Sequence, residues 1–223
     1  MHGQVSIPSY RRVMFNVATA VVKVAMIPVA EVRIDDIEVR PYVGSGLIIA
    51  SNHRSYLDFF VGILAFRKWG VYPHVMVRRD FFKVPLLGLF LRGLGALPAR
   101  REWRGTALAQ VKELLRSGHV VVITPEGRIP SSQERVRGIG RVRHGIGRLA
   151  VAHGTPILLA GVVNTDVAWS PGAPLPKTRM RRSNRPVIRV SAELLSVRAE
   201  DSAVRVVEEV ENGLRRILAK LEQ

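Results

Sequence analysis

The sequence predicts an α/β domain with a mixed central sheet flanked by helices. Two observations carry that prediction. Apolar runs of strand length, residues 47–50, 119–124 and 156–163, read as buried strands. They alternate along the chain with segments of helix length, residues 56–69, 106–116 and 202–221, the last two amphipathic. A chain of 223 residues suits one such domain, with room for an appendage.

Taken in order, residues 9–32 come first. Arg11 and Arg12 precede an apolar stretch about as long as a spanning helix, but Asn16, Lys23 and Pro28 interrupt it. No small-x-small cleavage site precedes a polar start, so a cleaved signal peptide fits poorly. The preferred reading is a helix lying in a membrane interface or packed on the domain, with its arginines at the headgroups. Residues 1–34 are therefore expected to form an N-terminal apolar, membrane-interface helix, and residues 35–223 the α/β domain. Residues 37–39 read as a short strand, 47–50 as a strand and 56–69 as a helix. A strand at 74–77 ends in Arg78 and Arg79. Residues 81–91 are unusually apolar for a loop or short helix and suit core, an acyl-chain wall or a membrane-contact patch. The helix at 106–116 stops at Ser117-Gly118. The strand at 119–124 runs into Pro125-Glu126-Gly127-Arg128, and an arginine-rich loop follows. A helix begins at Ile146, and residues 156–163 form another strand. Residues 168–186 read as a mobile solvated loop. Residues 187–190 alternate like an edge strand, and a C-terminal helix spans 202–221.

The charge narrows the partners. Formal net charge is +16, which favours anionic surfaces. Aromatic residues make up only 6%, too few for a base-stacking platform, whereas 47% of the chain is hydrophobic. A basic and apolar chain points to an anionic membrane surface rather than to nucleic acid. There is no cysteine, which excludes disulfides, a thiol nucleophile and a thiolate metal site.

The stretch that concentrates chemistry is Asn52-His53-Arg54-Ser55-Tyr56-Leu57-Asp58, just beyond a strand end. On a helix a five-residue separation is a rotation of ~140°, so His53 and Asp58 do not share a helical face. They meet only if His53 sits in the turn and Asp58 in the first helical turn. Asp58 would then fix the imidazole tautomer and leave the other nitrogen as a base. The same residues also suit a surface histidine and an aspartate favoured by the helix dipole. No G-x-S-x-G, Walker A or H-E-x-x-H motif is present, and no metal site is expected. Gly145 to Ala150 fits G-x-G-x-x-A, but the residues before it make a poor buried strand.

Four stretches in order resemble the glycerolipid acyltransferases, a family that includes the 1-acyl-glycerol-3-phosphate acyltransferases. Residues 52–58 are similar to block one, N-H-x-S-x-x-D. Arg78, Phe82, Pro85 and Gly88 resemble block two, with Arg100 as its closing arginine. Pro125-Glu126-Gly127 resembles block three, usually F-P-E-G-T-R-S, and Thr155-Pro156-Ile157-Leu158 resembles block four. The departures are Thr124 for phenylalanine, Arg128 for threonine, Ile129 for arginine and Leu159 for the second proline of block four.

The resemblance implies a glycerolipid-acyltransferase-type domain and acyl transfer without a covalent intermediate. The donor would be acyl-CoA or acyl carrier protein as co-substrate, with no cofactor, and the acceptor 1-acyl-glycerol-3-phosphate or another hydroxyl or amine. His53 would be the general base and Asp58 its orienting partner. Arg78, Arg100, Glu126, Gly127 and Arg128 would bind substrate, while Phe82, Pro85 and Pro156 would serve the acyl chain or the structure. The expected location is the cytoplasmic face of the cell membrane, peripheral or monotopic.

Overall fold

A computed structural model describes residues 7–99, 104–135, 138–179 and 181–223. In chain order the elements are α1 (Ser9–Met26), β1 (Glu31–Ile34), β2 (Leu47–Ser51), α2 (Leu57–Lys68), β3 (His74–Arg78), α3 (Pro85–Gly93) and β4 (Leu97–Ala99). There follow α4 (Arg104–Arg116), β5 (Val120–Ile123), α5 (Gly145–Val151), β6 (Ile157–Val163), α6 (Thr165–Ala168), β7 (Val187–Leu195) and α7 (Ala203–Leu221). The strands form one seven-stranded sheet in the order β1-β7-β6-β2-β5-β3-β4. Only β6 and β7 pair antiparallel, so the sheet is mixed, as the sequence predicts.

The continuous apolar runs are explained by burial on both faces, because successive side chains along a strand point to opposite sides. Leu47 and Ile49 of β2 pack in a cluster with Phe15, Ala18 and Val22 of α1 and Val61 and Leu64 of α2. Ile48 and Ala50 point the other way, into a cluster with Leu149 of α5 and Val210, Leu214 and Leu218 of α7. The result is three layers: helices, sheet, helices.

Three sequence expectations are corrected. Residues 37–39 carry no strand; the strand lies earlier, at β1, within the stretch read as the N-terminal helix segment. Its register with β7 (Glu31 beside Val187, Ile34 beside Val190) makes β1 the sheet edge. Consequently β7 is not an edge strand, since β6 bonds its other side from Ile157–Leu195 to Val163–Arg189. The loop at 168–186 is tethered: the Lys177 N–H donates to Ala168 O at 2.8 Å and the Arg179 N–H to Pro28 O at 2.7 Å.

Helix α1 shares the core of the domain rather than standing apart. Pro28, just beyond its end, cannot continue the helix. Its Arg11 is 4% exposed. That buried guanidinium donates to Leu94 O (3.0 Å) and Pro73 O (2.8 Å) and to His74 Nε2 (3.1 Å). His74 Nδ1 donates to Gly95 O at 2.7 Å, which fixes Nε2 as the acceptor. Burial first, and then the Arg11 charge, push the His74 pKa down to about 4, so the ring is neutral in this latch. Among the described residues no helix is long and apolar enough to cross a membrane.

The G-x-G-x-x-A stretch also finds its explanation here. It opens α5 with no strand before it, and a Cβ on Gly147 would stand 2.2 Å from Ala203 O. Gly147 is therefore the close-packing point of α5 against α7, not a nucleotide loop.

Candidate active site

The strand β2 delivers the histidine turn to the C-terminal edge of the sheet, where open α/β sheets place ligands. Its neighbour β5 runs parallel, with Ala50 beside Ile123, so Pro125-Glu126-Gly127 emerges at the same edge. Strand β3 also ends there, placing Arg78 on that side of the sheet. Pro156 does not join them. It precedes β6, at the opposite end of a strand parallel to β2, and its carbonyl accepts the Ile48 N–H at 3.1 Å. Its role in the structure is to start a strand.

His53 lies in the turn and Asp58 in the first turn of α2, the one arrangement in which their spacing lets them meet. Nδ1 of His53 is 2.7 Å from Asp58 Oδ2. The same oxygen accepts the backbone N–H groups of Arg54 (2.7 Å) and Ser55 (2.9 Å). A carboxylate oxygen facing three donors is an acceptor only, so Nδ1 carries the proton and Nε2 presents a lone pair. Nε2 has no partner among the described residues, and the His53 side chain is 25% exposed against 10% for Asp58. The arrangement is a base that is oriented, tautomer-fixed and reachable.

The turn is braced from several sides. Asn52 is fully buried, and its amide exchanges two hydrogen bonds with the Val162 backbone: Nδ2 to O at 2.9 Å, and N–H to Oδ1 at 2.8 Å. This bond fixes the end of β2 against β6. Ser55 Oγ donates to Trp169 O at 2.6 Å and accepts the Leu57 N–H, the first of α2, at 3.1 Å. Arg54 is buried and donates to Glu222 Oε1 at 2.6 Å, tying the end of the chain to the site. The sequence names none of these contacts; its available signal is the polar run Ser51-Asn52-His53-Arg54-Ser55 between an apolar strand and an apolar helix.

Glu126 is buried, with Oε2 accepting the His53 N–H and Oε1 accepting the Gly140 N–H, both at 2.7 Å. Burial raises its pKa, opposed by those two hydrogen bonds. Both oxygens being engaged by backbone, Glu126 holds the histidine turn in place.

The remaining expected residues divide. Arg78 is exposed and pairs with Asp80 at 2.9 Å. Both terminal nitrogens of Arg128 are on Glu134: Nη1 to Oε2 at 2.8 Å, and Nη2 to Oε1. Glu134 Oε2 also accepts the Ser131 N–H and hydroxyl, and these bonds, led by Arg128, bring its carboxyl down to about 2. Phe82 is buried with Leu91 and Ala96, and Pro85 opens α3 at a position where a missing N–H costs nothing. Arg100 lies outside the described residues.

The Acyltransferase family model matches residues 31–162, more than half of the chain. The chain belongs to the Acyltransferase family. Within the family it is similar to the 1-acyl-sn-glycerol-3-phosphate acyltransferase of Bacillus subtilis (strain 168), 32% identical over 87 residues. That match spans 37% of this chain and 41% of the relative, less than half of its length. The fold is similar to that of the 1-acyl-sn-glycerophosphate (LPA) acyltransferase, PlsC, from Thermotoga maritima. The TM-score is 0.71 at 17% identity, covering 95% of this chain and 81% of that one. At that identity the likeness is one of fold alone.

Proposed function

We propose that the protein transfers an acyl group from a thioester, acyl-CoA or acyl carrier protein, to the free hydroxyl of 1-acyl-glycerol-3-phosphate, giving phosphatidic acid. The observation that carries this is the 2.7 Å contact from His53 Nδ1 to Asp58, which leaves Nε2 as an accessible base. Nε2 takes the hydroxyl proton as the oxygen attacks the thioester carbonyl. The tetrahedral intermediate expels the thiolate, the C–S bond breaks, and the imidazolium returns its proton to sulfur. Base catalysis of this kind is worth about 10²–10⁴-fold.

A membrane-borne acceptor is supported by α1. Tyr10, Val13, Val17, Val21, Val24 and Ile27 are exposed and together cover roughly 120° of the helix at 100° a residue. Phe15, Ala18, Val22 and Met26 cover the buried side. A helix apolar on both sides, in a chain of net charge +16, suits a peripheral seat on an anionic bilayer. Val84, Leu86 and Leu89, at the start of α3 and along it, add to the exposed apolar surface.

One observation favours a different acceptor: the altered block three, whose Arg128 is taken up by Glu134. An acceptor without phosphate would need no cation there. Thiol release from palmitoyl-CoA decides between the two. It is run with 1-acyl-glycerol-3-phosphate, with a neutral monoacylglycerol and with neither, beside His53→Ala. Release dependent on the phosphate-bearing acceptor and lost in the folded variant supports the first reading. A folded His53→Ala enzyme with full turnover would falsify the base assignment.

A further inference from the structure

A phosphate-bearing substrate needs an available cation near His53, and the arginines around the site are unequal in this respect. Arg128 is held on both prongs by Glu134 and Arg135 by Asp166 at 2.7 Å. Arg143 is different. Its backbone N–H donates to Pro125 O and its Nε to Glu126 O, both at 3.0 Å. The side chain therefore folds back onto block three. A Cβ on Gly127 would stand 2.8 Å from Nε and 3.0 Å from Cζ of Arg143, so only glycine leaves room for the guanidinium. Gly127 also has φ +71°, which glycine adopts freely. The two terminal nitrogens of Arg143 have no partner among the described residues, and the residue is exposed. The group to which Nε is anchored is Glu126, whose carboxylate holds the His53 N–H.

We infer that Arg143, rather than Arg128, is the cation that receives a substrate phosphate monoester. The inference rests on the acyl-transfer reading and gives its site a phosphate ligand. A guanidinium fixed through Nε keeps its terminal pair free for bidentate contact with two phosphate oxygens. Being already ordered, it loses little freedom when the ligand arrives. The phosphate belongs either to the acceptor's glycerol phosphate or to the coenzyme A of the donor.

The test measures KM for 1-acyl-glycerol-3-phosphate and for palmitoyl-CoA, each with the other saturating. The proteins are wild type, Arg143→Ala, Arg143→Lys, Arg128→Ala and, as a control for loss of one positive charge nearby, Arg141→Ala. Arg143→Ala is expected to raise one of the two KM values about 10- to 100-fold with kcat within about threefold. Arg143→Lys should recover part of the loss and Arg141→Ala should change KM less than about twofold. The substrate whose KM moves is the one whose phosphate Arg143 receives. Unchanged KM values in Arg143→Ala, or a larger rise in Arg128→Ala, overturn the inference. Titration of glycerol 3-phosphate, followed by calorimetry, applies even if wild type shows no acceptor-dependent turnover, a result that removes the functional reading alone. The same titration is made with coenzyme A. Binding of either ligand lost in Arg143→Ala then supports the assignment, and binding of both equal to wild type, or of both undetectable in wild type, overturns it.

Discussion

Asp58→Asn separates the charge of the carboxylate from its shape. Oδ2 accepts from His53 Nδ1, the Arg54 N–H and the Ser55 N–H at 2.7, 2.7 and 2.9 Å. Two of those donors are backbone and cannot turn away. An asparagine must therefore leave its oxygen there and put its NH₂ where Oδ1 now sits, buried without a partner. The imidazole keeps its Nδ1–H bond, hence its tautomer. What disappears is the negative charge beside the imidazolium formed during proton transfer. Two unit charges about 4 Å apart attract by about 1 kcal/mol in water and about 4 kcal/mol near a protein surface. The His53 side chain is 25% exposed, which screens the pair. An intermediate value of about 1.4–2.7 kcal/mol then applies and lowers kcat roughly 10- to 100-fold. Asp58→Ala strands all three donors and frees the ring, so the whole base contribution, about 10²–10⁴-fold, is at risk. Weakening the two backbone N–H bonds, from Arg54 and Ser55, from charge-assisted to neutral ones also costs about 2–3 kcal/mol of stability in Asp58→Asn, read by urea unfolding. The assay is acceptor-dependent thiol release at saturating substrates, with each variant checked for folding. Asp58→Asn as slow as Asp58→Ala refutes the argument that the tautomer survives. Asp58→Asn as fast as wild type removes imidazolium stabilisation from the mechanism.

Two further outcomes are expected. His74 has its folded pKa depressed to about 4 from 6.5, so the unfolded chain binds the extra proton first and stability falls as pH drops from about 6.5 to 4. The shift corresponds to about 3 kcal/mol at most, discounted to roughly 1–2 kcal/mol for partial exposure. His119, also depressed mainly by burial, acts in the same direction. Urea unfolding at pH 7 and pH 4.5 should show this loss reduced in His74→Gln, and equal losses in both proteins would contradict it. On the outer face of α1, Val17→Asp with Val21→Asp removes two exposed valines worth about 1 kcal/mol each at a bilayer. Sedimentation with phosphatidylcholine–phosphatidylglycerol vesicles should weaken about 30-fold or more at unchanged melting temperature. Undiminished binding would refute α1 as a membrane seat.

The strands at 47–50, 119–124 and 156–163 are legible in the residue order alone, because burial on both faces leaves an apolar run that no loop would carry. So is the relation of His53 to Asp58, because a turn followed by a first helical turn is local geometry. Strand β1 escaped because Glu31 and Arg33 alternate with Val32 and Ile34, and an edge strand keeps only half of its surface apolar. The alternation of β7 misled for a related reason. Arg189 lies in an interior strand and is accommodated by donating to Leu221 O at 3.0 Å, a contact supplied by α7. The state of the charged groups, by contrast, is set by tertiary contacts. Glu126 meets His53 across a parallel strand pair, Arg128 is absorbed by Glu134, and Arg143 returns to Gly127. Residue type specifies that a carboxylate or guanidinium needs partners. Which partners it finds is set by where the sheet brings distant segments together, and that decides whether a charge braces the fold or is left for a substrate.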